Sequence, residues 1–125
     1  MNANDASRVV VDGAMRVHSA LGPGLLEGAY EACLAHELRN RGLRVRTQQP
    51  LPVVYDGAHI ELGYRLDLLV EDALIVELKA IAKLLPIHDA QLLSYLRLSG
   101  HTIGLLINFH ILHLKDGIKR MVNNF

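Results

Sequence analysis

Several features that this sequence lacks narrow the kinds of protein it can encode. Cys33 is the only cysteine among 125 residues, so no internal disulfide can form and a thiolate zinc site is not expected. No stretch approaches the roughly 20 apolar residues of a membrane-spanning helix. The N-terminal residues are polar and lack the apolar core of a signal peptide. Together these absences predict a cytoplasmic protein with no membrane segment.

The chain also lacks an excess of charge of either sign. Lys plus Arg and Asp plus Glu number 13 each, so the formal net charge is zero. Proteins that bind nucleic acid by themselves usually carry a basic surface, so this balance argues against a simple electrostatic clamp. Basic clusters do occur at residues 39–46 and 115–120. Each cluster, taken alone, is typical of a solvated surface.

What the sequence contains in abundance is hydrophobic residues, at 50% of the chain. The length suits a single domain with one core, spanning residues 1–125. Apolar spacing and turn residues predict an order of helix, helix, several strands, helix and strand. This order favours a mixed α/β fold with a central β-sheet flanked by helices. The predicted helices are 4–21, 25–41 and 86–99, and the predicted extended segments are 43–48, 51–55, 58–70, 74–80 and 102–108, followed by a short terminal element.

Two opposite charges interrupt an otherwise apolar predicted strand. Glu77 and Lys79 lie within Val-Glu-Leu-Lys-Ala, and strand alternation points both side chains to one face. In the preceding strand, alternation places Asp67 on one face and Leu66 and Leu68 on the other. A three-residue loop between the strands pairs Asp67 with Glu77, whereas a two-residue loop would mix the acids with the apolar side chains. The three-residue loop is therefore the preferred prediction.

This register places two carboxylates roughly 5 Å apart at Cβ. Two buried carboxylates at such a distance cannot both ionise cheaply, and a divalent cation resolves the conflict. Oxygen ligands suit Mg²⁺ or Mn²⁺, and Lys79 would then hold or activate a water, or stabilise charge on phosphorus. The alternative is a salt-bridge set of Lys79, Glu77 and Arg65 on an exposed sheet face, and spacing alone leaves both hypotheses open.

Two helices offer further candidates for the same site. Glu27 lies on the helical stripe of Tyr30, which should face the core, and a glutamate there could reach a metal ion. Its alternative role is structural, since with Gly24 as N-cap Glu27 occupies a helix position that favours glutamate. Gln91 and Tyr95 are i, i+4 neighbours on the third helix and can act together. Either of them could equally be an ordinary polar helix residue with no role in a site.

These motifs resemble those of a known group of enzymes. Asp67 followed by Glu77-Leu78-Lys79 resembles the signature of the PD-(D/E)XK nuclease superfamily, in a form that lacks the proline before the aspartate. Residues 91–95, Gln-Leu-Leu-Ser-Tyr, resemble the QxxxY motif of its RecB-type branch. Residues 24–30, Gly-Leu-Leu-Glu-Gly-Ala-Tyr, match the motif that names the GxxExxY family of the same superfamily. The resemblance covers nearly the whole chain.

The resemblance implies a restriction-endonuclease-like core and a Mg²⁺- or Mn²⁺-dependent nuclease. Its substrate would be nucleic acid, with DNA favoured over RNA. The ion would be held by Asp67, Glu77, the Leu78 carbonyl and Glu27, and Lys79 would position the attacking water.

By the same resemblance, Gln91 and Tyr95 would orient Lys79 or contact a phosphate. The rival hypothesis is a non-catalytic module of the same fold that binds a protein partner or nucleic acid. A homo-oligomer is also left open.

Overall fold

The computed structural model describes residues 1–123. It contains three α-helices and seven β-strands within that range. A short 3-10 helix also spans Leu114–Gly117. The helices are α1 (Ala3–Leu21), α2 (Glu27–Asn40) and α3 (Pro86–Ser99). The strands are β1 (Val45–Pro50), β2 (Val53–Tyr55), β3 (Ala58–Ile60), β4 (Arg65–Val70), β5 (Leu74–Lys79), β6 (Ile103–Asn108) and β7 (Ile118–Val122).

Five of the strands form one mixed sheet in the order β1-β4-β5-β6-β7. β5 and β6 pair in parallel because α3 returns the chain across the sheet between them. The other neighbours pair antiparallel, and β2 and β3 form a separate hairpin. The predicted mixed α/β fold is thus confirmed. The extended segment predicted before Val70 is in fact two strands, separated near Gly63, whose φ of 78° suits a glycine.

Helices cover both faces of the sheet and create two apolar layers. α1 and α2 pack on one face, and α3 packs on the other. The first layer includes Val10, Ala14, Tyr30, Leu34, Leu38, Leu68, Val70, Leu74, Val76 and Leu78. The second layer includes Leu69, Ile75, Leu92, Leu96 and Leu106. Because β5 is covered on both faces, any charge on it lies in the most buried part of the fold.

The hairpin between β4 and β5 has the predicted register. Val70 pairs with Leu74 and Leu68 pairs with Val76, which leaves a three-residue loop between the strands. The loop residues Glu71 and Asp72 have φ values of 55° and 51°, and the Ala73 N–H donates to the Val70 carbonyl at 3.1 Å. The prediction of a three-residue loop is therefore confirmed.

The start of α2 differs from the sequence prediction. The helix begins at Glu27 after an extended Leu26, so Glu27 is its first residue and the prediction of Gly24 as N-cap was wrong. Gly24 has a φ of 106°, a conformation that favours glycine. The Tyr30 hydroxyl donates to the Gly22 carbonyl at 2.6 Å and accepts the Leu25 N–H at 3.1 Å. Tyr30 therefore fixes the loop that leads into α2 and so sets the position of Glu27.

Candidate active site

The acidic residues of β4 and β5 meet at the centre of the sheet. The register that pairs Leu68 with Val76 brings Asp67 opposite Glu77 when it continues by one residue. The Asp67 N–H donates to Glu77 Oε1 at 3.1 Å, and the Leu78 N–H donates to Asp67 Oδ2 at 2.8 Å. Glu77 is only 5% exposed. Each carboxylate thus binds the backbone of the neighbouring strand, and the two side chains lie against each other.

β4 is distorted at Asp67. Leu66 packs in the layer under α3 together with Leu69, whereas Leu68 packs in the layer under α1 and α2. Strict alternation would have put Leu66 and Leu68 on one face, so that part of the prediction was wrong. The β1–β4 pairing keeps its register here but omits the pair of Gln48 and Asp67, since Thr47–Leu68 is followed by Gln49–Leu66. The distortion lets Asp67 contact groups from both adjacent strands.

Burial and neighbouring charge make Glu77 an unusually weak acid. Burial, as the larger cause, and the Asp67 charge together raise the pKa of Glu77 from 4.5 to about 8. Lys79 opposes the shift, but its contribution is smaller than those of burial and Asp67. Glu77 therefore holds a proton near neutral pH unless another positive charge replaces it.

The salt-bridge set expected as an alternative is not formed. Arg65 pairs with Glu61 at 3.5 Å and donates to the Tyr64 carbonyl at 3.0 Å, so it turns away from Glu77. Lys79 is partly buried, and its charge lowers the pKa values of both Glu77 and Glu27. Among residues 1–123, its ammonium group forms no ion pair or hydrogen bond. Lys79 thus lies near the acids without being paired to them.

Glu27 approaches the pair from the first turn of α2. Its pKa is raised by burial first and by the Asp67 charge second. Glu31, one helical turn later, has its pKa raised for the same two reasons. The structure therefore brings Glu27 close to Asp67. Across residues 1–123, no group of three or more His, Cys, Asp or Glu side chains is arranged so that it could hold a metal ion.

Tyr95 lies near Glu77 on the α3 side, and Gln91 contacts Tyr95. The Gln91 amide donates to the Tyr95 hydroxyl oxygen at 3.0 Å, and Tyr95 is 8% exposed. Burial raises the pKa of Tyr95, and the Glu77 charge raises it again. The two residues thus contact each other, and Tyr95 lies close enough to Glu77 to be affected by its charge. In the described part of the chain neither forms a hydrogen bond with Lys79.

Three polar residues near the site were not predicted from the sequence. Gln48 donates to Glu31 Oε1 at 2.6 Å and lies 3.4 Å from Asp67 Oδ1. The buried Asn108 side chain bonds both the N–H and the carbonyl of Ile81, which fixes the chain just beyond Lys79. Helical spacing from Glu27 could have indicated Glu31. A polar residue ending an apolar strand could have indicated Asn108, whereas Gln48 carries no comparable signal.

The donor groups at this site suit a hard divalent cation. Asp67, Glu77 and Glu27 offer only oxygen atoms, the ligand type that Mg²⁺ and Mn²⁺ prefer. Burial and the Asp67 charge raise the pKa values of both Glu77 and Glu27, so a bound positive charge would relieve the repulsion between Asp67 and each of them. By this criterion the residues fit a metal ion.

The mixed sheet with helices on both faces is consistent with a restriction-endonuclease-like fold. The chain belongs to the PD-(D/E)XK nuclease superfamily, whose family model matches residues 4–121. This membership confirms the superfamily predicted from the sequence and supports a nuclease-type function that involves nucleic acid. Nucleases of this superfamily generally use divalent metal ions.

No curated protein and no solved structure shows significant similarity to the chain. No helix within residues 1–123 is long and apolar enough to cross a membrane.

Proposed function

We propose that the chain is a Mg²⁺- or Mn²⁺-dependent nuclease of one domain, acting on DNA in preference to RNA. The observation that carries the proposal is the close carboxylate pair of Glu77, which is 5% exposed, and Asp67, which is partly buried. Burial and mutual repulsion raise the pKa of Glu77 to about 8. A buried ionised pair is costly unless a cation compensates it. A divalent ion would supply that compensation, and the pair would then serve as its ligands in a nuclease site.

Asp67 and Glu77 would hold the ion together with the Leu78 carbonyl, and Glu27 would approach it from α2. The Leu78 N–H points to Asp67. Because the N–H and C=O of one strand residue point to the same side, the Leu78 carbonyl shares that side. Glu27 is close enough for the Asp67 charge to raise its pKa. A ligand from a helix end can adjust its position without disturbing the sheet.

When bound, the ion would supply charge neutralisation at phosphorus and a more acidic water. Lys79 would position that water or stabilise the charge that develops on the phosphate. Within residues 1–123 the Lys79 ammonium forms no ion pair or hydrogen bond, which leaves it available for this role. The position of Lys79 is supported from the next strand, where the Phe109 N–H donates to its carbonyl at 2.8 Å.

Gln91 and Tyr95 would contact a substrate phosphate or orient Lys79. Because Gln91 donates to the Tyr95 oxygen, the phenolic proton of Tyr95 remains free to donate elsewhere. Its raised pKa keeps that proton in place at neutral pH. This arrangement supports a role for Tyr95 as a hydrogen-bond donor. We accordingly propose that the QxxxY and GxxExxY motifs of this chain are functional.

A non-catalytic module remains the second candidate, because much of the basic charge is already paired. Arg41 contacts Asp12 and Glu37, and Arg44 pairs with Glu71 at 3.2 Å. The cluster at residues 39–46 therefore offers less positive charge to a phosphate backbone than its sequence suggests. A protein partner or a second copy of the chain would then supply part of the surface that binds nucleic acid.

A cleavage assay separates the two candidates. Single- and double-stranded DNA and RNA are incubated with the protein in Mg²⁺, Mn²⁺ or chelator, at several salt concentrations. The proposal expects metal-dependent cleavage, with DNA cut faster than RNA, and loss of activity in Asp67→Asn. Binding of nucleic acid without cleavage under every condition would favour the non-catalytic module.

A further inference from the structure

Gln48 has an unusual backbone conformation for a strand residue. It lies inside β1 with a φ of 52°, which for a residue other than glycine costs on the order of 1 kcal/mol or more. The pairing with β4 keeps one register on both sides, from Thr47–Leu68 to Gln49–Leu66. The strain therefore does not serve to absorb an extra residue or to shift the strands.

What the conformation achieves is the placement of the Gln48 side chain. Its amide nitrogen lies 2.6 Å from Glu31 Oε1 and 3.4 Å from Asp67 Oδ1. Ionised carboxylates can only accept hydrogen bonds, so the amide NH₂ must face both of them. Gln48 thus connects α2 to the distorted point of β4.

We propose that Gln48 is a positioning residue for the Asp67 carboxylate and that Glu31 anchors Gln48. This inference rests on the proposed metal-dependent function of Asp67. The Leu78 N–H already holds Asp67 Oδ2 at 2.8 Å, and Gln48 approaches the other oxygen. With both oxygens held, the Asp67 carboxylate has a fixed direction, and its remaining lone pairs would be available to a cation. Glu31 is partly buried and accepts the shorter of the two bonds, so it fixes the direction of the amide.

The physical basis is the general behaviour of groups that orient metal ligands. Loss of such a group typically lowers metal affinity or activity about 10- to 100-fold. If Gln48 served only for packing, its replacement would change the stability of the fold and leave the metal affinity unchanged. Glycine adopts a φ of 52° without strain, so Gln48→Gly should leave the fold at least as stable as Gln48→Ala.

The experiment compares wild type, Gln48→Gly and Gln48→Ala. Asp56→Gly is the matched control, because Asp56 has a φ of 51° in the turn between β2 and β3, a hairpin separate from the sheet that carries Asp67. Mn²⁺ affinity is measured by titration calorimetry, stability by thermal unfolding without metal, and kcat/KM on the preferred nucleic acid. Gln48→Gly is expected to melt at or above the Gln48→Ala temperature, yet bind Mn²⁺ about 10- to 100-fold more weakly. Asp56→Gly should bind Mn²⁺ as wild type does.

The outcomes distinguish this inference from the proposed function. If wild type binds Mn²⁺ and Gln48→Gly binds it equally well, the positioning role is overturned while the proposed function stands. If wild type binds Mn²⁺ but cleaves nothing, the proposed function is overturned, and the affinity loss in Gln48→Gly still decides the positioning role. If wild type does not bind Mn²⁺ at all, both are overturned.

Discussion

Glu77 links the chemistry of the site to the stability of the protein. Its pKa in the folded state is about 8, against an ordinary value of 4.5. The groups that face it are Asp67, Lys79 and Tyr95. Because the folded-state pKa is raised, the stabilising effect of the protonated group is complete below about pH 4.5. It is lost as the pH rises through about 8.

The first prediction follows from this loss of stability with rising pH. Between pH 5 and 9, without metal, wild type should lose stability relative to Glu77→Gln, by an amount on the order of a few kcal/mol. Glutamine mimics the neutral acid and does not titrate, so its curve should be flatter. Urea denaturation of both proteins across this range provides the measurement. Parallel curves would mean that Glu77 ionises normally in the folded protein.

Lys79 provides the second prediction. If Lys79 acts on the reacting groups, Lys79→Ala should lower the cleavage rate by roughly 100-fold or more. With saturating Mg²⁺ it should unfold near the wild-type temperature, since the metal rather than the lysine would neutralise Glu77. Lys83→Ala is the control, because Lys83 is an exposed lysine in the following loop. Thermal unfolding and the nuclease rate are measured on the same samples.

Two results would contradict this assignment. A folded, metal-binding Lys79→Ala protein with full activity would remove Lys79 from the mechanism. A variant that unfolds even with saturating Mg²⁺ would show that the lysine is needed to balance a buried carboxylate. The charges of Glu77 and Lys79 on β5 would then be assigned a structural role, as a salt bridge, in place of a catalytic one.

Among the elements, the segment that leads into β7 depends on one close approach. A Cβ at Gly117 would lie 2.5 Å from the Asn108 carbonyl oxygen, and Asn108 also holds the chain beyond Lys79 through Ile81. The third prediction is that Gly117→Ala lowers the free energy of unfolding by roughly 1–3 kcal/mol. The backbone oxygen cannot move away as a flexible side chain would.

Gly28 offers the matched control for that substitution. It lies in α2 with open space around the added Cβ, so Gly28→Ala should be neutral or stabilise by up to about 1 kcal/mol. Urea denaturation of both variants decides the matter. Equal effects at the two positions would indicate that the approach of Gly117 to Asn108 is not tight in solution.

The elements also show which structural features a sequence can predict. The β4–β5 register was predicted correctly because alternation of apolar residues and the loop length both act locally along the chain. The kink at Asp67 was not, since it depends on how Leu66 packs under α3. The α2 boundary was missed because the Tyr30 hydroxyl and the Gly24 conformation hold the preceding loop extended.

The same distinction applies to the site. Asp67, Glu77 and Lys79 were predicted from strand parity, and Glu27 from the helical stripe. Gln48 escaped because its role depends on the strained backbone of β1 and on a contact with α2, both set by tertiary structure. Similarly, the pairing of Arg41 and Arg44 with acids from α1, α2 and the β4–β5 loop could not be inferred from the basic cluster alone.

For the complete fold, a bound cation should act as a stabilising ligand. An ion that binds only the folded state stabilises it by about 2.7 kcal/mol at 100 times its dissociation constant. The fourth prediction is that Mg²⁺ or Mn²⁺ raises the melting temperature of wild type, with a larger effect above pH 8, where Glu77 no longer retains its proton. Asp67→Asn should lose this effect. An unchanged response in the variant would locate the ion elsewhere.

The central claim is that Asp67 and Glu77 form a divalent-cation site on the buried strand pair. The most direct test is anomalous diffraction from crystals grown with Mn²⁺ above pH 8, where proton competition for Glu77 is weakest. We expect one strong anomalous peak within bonding distance of the Asp67 and Glu77 carboxylates and the Leu78 carbonyl, and no such peak in Asp67→Asn crystals. A map with no peak between these residues, while Glu77 stays bonded to the Asp67 N–H, would contradict the account.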